Sequence, residues 1–133
     1  MLTKFLLCLL LLAVSINCFA QATQSKEQIG IKLAQCAAYN LESTIIAEHY
    51  FENKKMLDQR EYLRETQLAG AIQIIGLDKA KPIYSNTSKS ARAYLKNNRD
   101  DYVTFVGRHT KECDNWTINN TALIVQILNQ TRQ

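Results

Sequence analysis

Two of the four cysteines, Cys36 and Cys113, stand 77 residues apart outside the first twenty residues and can tie most of the remaining chain together, provided that both reach an oxidising compartment. The first twenty residues indicate that they do. Lys4 precedes an apolar run from Phe5 to Val14, and the small-residue exit Cys18-Phe19-Ala20 follows, the pattern of a cleaved secretory signal. The run is short for a membrane span of about 20 residues, and no second apolar run of that length follows as a stop-transfer segment. The expected organisation is a signal peptide over 1–20 and a single domain over 21–133, with no transmembrane segment after cleavage. Cys8 and Cys18 leave with the signal. A lipid anchor on Cys18 is a poor fit, because Ser15 and Asn17 stand where a bacterial lipoprotein signal has leucine and a small residue. Two exported thiols pair most simply with each other, and a Cys36–Cys113 loop of this size restricts the unfolded chain by about 4 to 5 kcal/mol.

Periodicity then selects the fold class. One proline, four glycines and no alternating β-branched run favour long helices, so the expectation is all-α, a small four-helix bundle-like domain with one disulfide. A first helix is expected from Ser25 to Asn53. Ile29, Leu33, Cys36, Ala37, Ala47 and Phe51 form one stripe on it, widened by Tyr39, Ile46 and Tyr50. Leu41 and Ile45 fall on the opposite side, so this helix either has neighbours around more than half its circumference or carries an apolar patch. A second helix from Met56 to Ile75 buries Leu57, Leu68, Ala71, Ile72 and Ile75 and stops at Gly76, with an edge ion pair between Glu61 and Arg64.

Pro82 and the Ser85-Asn86-Thr87 stretch mark Leu77 to Thr87 as a loop. A third helix is expected from Ser88 to His109, with Ala91, Tyr94, Leu95, Tyr102, Phe105 and Val106 inward. Lys89, Arg92, Lys96 and Arg99 then make a basic stripe beside that face. The last helix is expected from Asn119, with Ile118 and Leu123 as a hydrophobic staple and Leu123, Ile124, Ile127 and Leu128 as its buried face. The disulfide should tie the first helix to the connection before the last.

Charge excludes little by itself. Without Lys4 the net charge is +3, too mild to indicate nucleic acid, but the positive charge is concentrated from Leu77 to Glu112, with eight basic and four acidic residues. Four Asn-x-Ser/Thr triplets, at Asn86, Asn115, Asn119 and Asn129, are glycan acceptors in a host that glycosylates; otherwise Asn115 and Asn119 read as turn and cap residues.

Candidate chemistry is sparse. His49 lies among Glu42, Glu48 and Glu52, but the Glu-x-x-His order of carboxylate-bridged metal bundles is absent, as is His-Glu-x-x-His. His109 and Cys113 share the i, i+4 spacing of metal ligands, yet the disulfide competes for the sulfur. No Cys-x-x-Cys motif is present for thiol exchange or haem attachment. No catalytic, metal or cofactor residue is therefore assigned. The residues assigned to a partner surface are Lys89, Arg92, Lys96 and Arg99, with the amphipathic aromatics Tyr39, Tyr50 and Trp116; Tyr62 is a further candidate of the same kind.

In size, signal and cysteine pair the chain resembles the small exported helical proteins of Gram-negative bacteria, a group that includes toxin-immunity proteins and acid-stress chaperones. That resemblance implies a periplasmic or secreted binding module, most concretely an inhibitor or immunity-type protein contacting a cell-wall enzyme or toxin. A stress chaperone is the alternative, and a small enzyme using His49 with its neighbouring glutamates the third reading.

Overall fold

A computed structural model describes residues 26–96 and 99–132, and the signal at 1–20, the cleavage point before Gln21 and the Ser25 cap lie outside them. The described residues are helical almost throughout. Helix α1 covers 26–46 and runs into a π turn at Ala47–Phe51; α2 is Lys54–Ile75, α3 Leu77–Ala93, α4 Arg99–Asn119 and α5 Thr121–Gln130. The all-α, bundle-like class stands, with five helices among the described residues rather than four.

Helix α1 is the axle of the domain. Ile29, Leu33, Cys36, Ala37, Ile46 and Ala47 are buried as their stripe requires, but so are Ala34, Ala38, Asn40, Glu42 and Ser43. Neighbours therefore surround this helix, which is the first of the two arrangements that Leu41 and Ile45 allow. Phe51 departs from its expected place, 55% exposed, because the π turn widens the helix before that residue. Glu52 then enters the left-handed region at φ 49°, and the Asn53 side chain caps α2 by accepting from the Met56 N–H at 3.1 Å.

Two apolar clusters flank the middle of α1. At one end Ile29, Leu33 and Ala34 meet Ala71 of α2, Ala80 of α3, and Ile124 and Ile127 of α5, with Ile72, Ile75, Ile83 and Trp116 around them. Helices α1 and α2 approach closely here, since a Cβ on Gly30 would collide with the Ile75 side chain. At the other end Ile46 meets Tyr102 and Val106 of α4. The Cys36–Cys113 disulfide lies between the clusters, its Cα atoms 5.4 Å apart and both residues buried. Cys113 belongs to α4 itself, so the bond staples two helix interiors and not a helix to a connection.

Three expectations are corrected. Leu77 to Thr87 is not a loop: α3 begins directly after Gly76, whose φ of 82° turns the chain in a single residue. Pro82 stands inside α3 near its start, exposed, where one backbone bond is forfeited while Ala80, Ser88 and Ala91 gain burial. The helix expected from Ser88 to His109 is interrupted after Ala93 by a 3-10 turn at Tyr94–Lys96, and Arg99 opens α4, which leaves Tyr94 and Leu95 about half exposed. Finally, α5 is capped at Asn120, one residue later than expected, and Ile118 and Leu123 face outward without forming a staple.

Candidate functional site

The break after Ala93 dissolves the basic stripe as a continuous helix face. Lys89 and Arg92 are on α3, Lys96 ends the 3-10 turn and Arg99 starts α4. Two of the four bind the protein's own frame. Arg99 lies 4.5 Å from the Tyr50 ring centroid and donates to the Tyr50 carbonyl at 3.3 Å. Arg92 donates from Nε to both oxygens of Glu42, at 3.0 and 3.1 Å.

Glu42 is the hub of that corner. It is fully buried, yet all of its acceptor capacity is used, because Ser88 of α3 and Tyr102 of α4 donate to the same carboxylate, Tyr102 at 2.6 Å. One side chain thus joins α1, α3 and α4. Burial first, and the bond to Glu42 second, push the Tyr102 phenol up from its ordinary value, while the bond to Glu42 holds Arg92 above the usual guanidinium value and hence charged.

A second polar layer joins α1, α2 and α4. Asn40 donates to Gln67 at 2.8 Å, and Gln67 donates to Thr117 at 3.2 Å. Arg60 donates to Asp114 at 2.7 Å and to Asn40 at 3.3 Å, and the Ser43 and Thr110 hydroxyls bond at 2.9 Å. Together with the disulfide, these layers fix α4 against α1 along most of its length.

The outer side of α4 presents an aromatic groove. Phe105 stacks under Tyr94 with centroids 4.0 Å apart, and His109 lies edge-on to Phe105 at 4.4 Å. The other side of His109 stacks on Tyr39 at 4.5 Å, so four rings run in sequence from the α3 end to α1. Asp101, Thr104, Arg108 and Glu112 complete the lining of a cavity of about 470 Å³ open to solvent. Glu112 lies 3.4 Å from the His109 Nδ1. Burial, with Glu112 second, raises the Tyr39 phenol above its ordinary value and keeps it a hydrogen-bond donor.

The residues singled out from sequence are thus dispersed. Tyr39 backs this groove through its stack on His109 without lining it, whereas Tyr50 lies half-buried beneath Arg99 and Trp116 packs on the α1–α2–α5 cluster. Trp116 also lines a separate cleft with Gln28, Ile29, Ile31, Lys32 and Gln35. Tyr62 is exposed. His49 is exposed with Glu48 at 3.7 Å, while Glu42 turns to Ser88, Arg92 and Tyr102, so the proposed cluster does not assemble around His49. Cys113 is committed to its disulfide, leaving His109 to the ring stack. Among the described residues no group of three His, Cys, Asp or Glu side chains is placed to hold a metal ion. Nor is any helix among them long and apolar enough to cross a membrane. Asn86, Asn115, Asn119 and Asn129 are all exposed.

Sequence reasoning missed Arg108, Asp101, Thr104 and Glu112 as groove residues. Their signal is in the spacing: Asp101, Phe105, Arg108 and Glu112 recur at intervals of four, three and four, one helix face, on which Phe105 alone reads as core. No family model matches the chain, and neither a curated protein nor a solved structure does.

Proposed function

We propose that this chain is an exported, disulfide-stapled binding module that acts by contact with a partner protein. Its most concrete form is a periplasmic inhibitor or immunity-type protein directed at a cell-wall enzyme or a toxin. The observation that carries this reading is the aromatic groove: Tyr94, Phe105 and His109 offer flat amphipathic area, and Asp101, Arg108 and Glu112 rim it with charges of both signs. Aromatic anchors surrounded by mixed charge are the composition of energetic centres in protein interfaces, and charge of both signs sets orientation. The groove is also rigid. Its floor helix is bonded to α1 through the disulfide and through Ser43–Thr110, so little conformational freedom is left to lose on binding. The export signal and the stapled scaffold support the same compartment.

The test is co-purification from the periplasm of the native host with the tagged full-length precursor, after mass analysis of the exported product. The expected result is one stoichiometric protein partner, whose affinity falls at least about tenfold in Tyr94→Ala and in Arg108→Glu. Both side chains are solvent-facing, so helicity should be unchanged. Capture that is indifferent to both substitutions removes the groove from the interface. Many weakly held clients instead of one partner favour the chaperone reading.

A further inference from the structure

Trp116 is the one tryptophan of the chain, and its indole faces two ways. It packs on the α1–α2–α5 apolar cluster, and it also forms one wall of an open cleft of about 340 Å³. The other wall is α1. Gln28, Lys32 and Gln35 recur there at spacings of four and three, so they share one helix face, flanked by Ile29 and Ile31. The two walls are held in place by the disulfide. Cys36 follows Gln35, Cys113 lies three residues before Trp116, and their Cα atoms are 5.4 Å apart. The Trp116 carbonyl also accepts from both the backbone and the side chain of Asn120, which anchors the end of α4 that carries the indole.

The lining selects a ligand by its chemistry. Among the described residues, no hydrogen bond or ion pair within the protein engages the side chain of Gln28, Lys32 or Gln35. Lys32 is the one charged residue that lines the cleft, and Glu27, close to it in sequence, is held by Lys79 at 2.7 Å. The cleft therefore offers a flat indole, two amides that each donate and accept, and one ammonium. A cationic ligand meets no carboxylate here. An acyl chain is a poor match, because Gln28, Lys32 and Gln35 interrupt the apolar surface. A nucleic acid or polyphosphate would meet a single cation. A sugar ring matches each part of the lining. Its C–H face carries slight positive charge and suits the negative face of an indole, its hydroxyls donate and accept as amides do, and a carboxylate on it answers Lys32.

We propose that the cleft between α1 and Trp116 binds an acidic pyranoside, whose ring stacks on the indole, whose hydroxyls bond to Gln28 and Gln35, and whose carboxylate pairs with Lys32. The volume admits a mono- or disaccharide. The cleft shares no lining residue with the aromatic groove, so the site does not depend on a protein partner there.

Tryptophan emission of the disulfide-bonded chain tests this, since Trp116 alone supplies it. Methyl glucuronide is the probe, methyl glucoside its neutral counterpart, and lactate a carboxylate without a ring. The emission should change saturably with the glucuronide, half-complete at about 1 mM, and the glucoside should bind at least about fivefold more weakly. Lys32→Gln should bring the two sugars to equal affinity without abolishing either. Gln35→Ala should weaken both at least about threefold with helicity unchanged, and Lys89→Gln, which removes an exposed lysine outside the cleft, should weaken neither. No saturable change up to about 50 mM glucuronide, or a preference for the acid that persists in Lys32→Gln, overturns the proposal. Lactate as effective as the glucuronide also overturns it, and marks a carboxylate-terminated chain such as a peptide end as the occupant.

Discussion

Two carboxylates, each paired with an arginine, tie α4 to its neighbours on different terms: Glu42 of α1 takes Arg92 of α3 and reaches α4 through Tyr102, whereas Asp114 belongs to α4 and takes Arg60 of α2. Glu42 is wholly enclosed and has every lone pair engaged by Ser88, Arg92 and Tyr102, from two further helices. Asp114 is partly open, receives one bond from Arg60, and leaves its Oδ1 and the Arg60 Nε without a protein partner. Enclosure raises the cost of an unpaired charge, so the carboxylate at the centre is saturated with donors; the Arg60–Asp114 pair keeps some side-chain exposure, 17% and 27%, yet its Nε and Oδ1 are buried without a protein partner. The α1–α3–α4 corner is therefore fully paired, and the Arg60–Asp114 pair of the α1–α2–α4 layer is not.

The sharpest way to break that contrast is Glu42→Gln. The amide would turn an N–H₂ toward Ser88, Arg92 and Tyr102, all donors, and the loss should be about 3 kcal/mol in denaturant unfolding of the disulfide-intact chain. Tyr102→Phe should cost about 1.5 kcal/mol, because one Glu42 oxygen keeps Arg92. That variant also sharpens the alkaline side. The folded state holds the Tyr102 phenol above the ordinary 10.0, so the unfolded chain ionises first. This contribution is complete below about pH 10 and is lost as pH rises toward the folded-state value; Tyr102→Phe should flatten the fall, as read by unfolding free energy from pH 9 to 11. Asp114→Asn should be the mildest, at or below about 1 kcal/mol, since solvent reaches Arg60. Equal losses for Glu42→Gln and Asp114→Asn would erase the distinction between the two corners.

Much of this architecture is legible in the chain, for reasons that differ by residue. The disulfide is expected from a signal-like first segment and from the two cysteines outside it, and α2 follows from its apolar spacing and Gly76. Leu41 and Ile45 hint that α1 is surrounded. What they do not disclose is that the burial takes in Asn40, Glu42 and Ser43, because a polar side chain looks solvated until its partners on α2, α3 and α4 are known. Pro82 misleads in the opposite direction: its local preference against helix is outweighed by the apolar contacts of Ala80 and Ile83. The groove escapes notice because Tyr94 and Phe105 read as core residues of one helix, whereas the break after Ala93 leaves them stacked on each other at the surface beside Asp101 and Arg108.

The 77-residue span between the joined cysteines also orders events in time. A ribosome adding roughly 5 to 20 residues per second produces Cys36 several seconds, up to about 15, before Cys113 exists. Throughout that interval α1, α2 and α3 are being delivered while their one structural thiol stands unpaired, open to capture as a mixed disulfide by any oxidant it meets. The bond therefore cannot guide the early helices together. It can close only once most of α4 has been made, so the pairing of α1 with α2 and α3 has no covalent help until then.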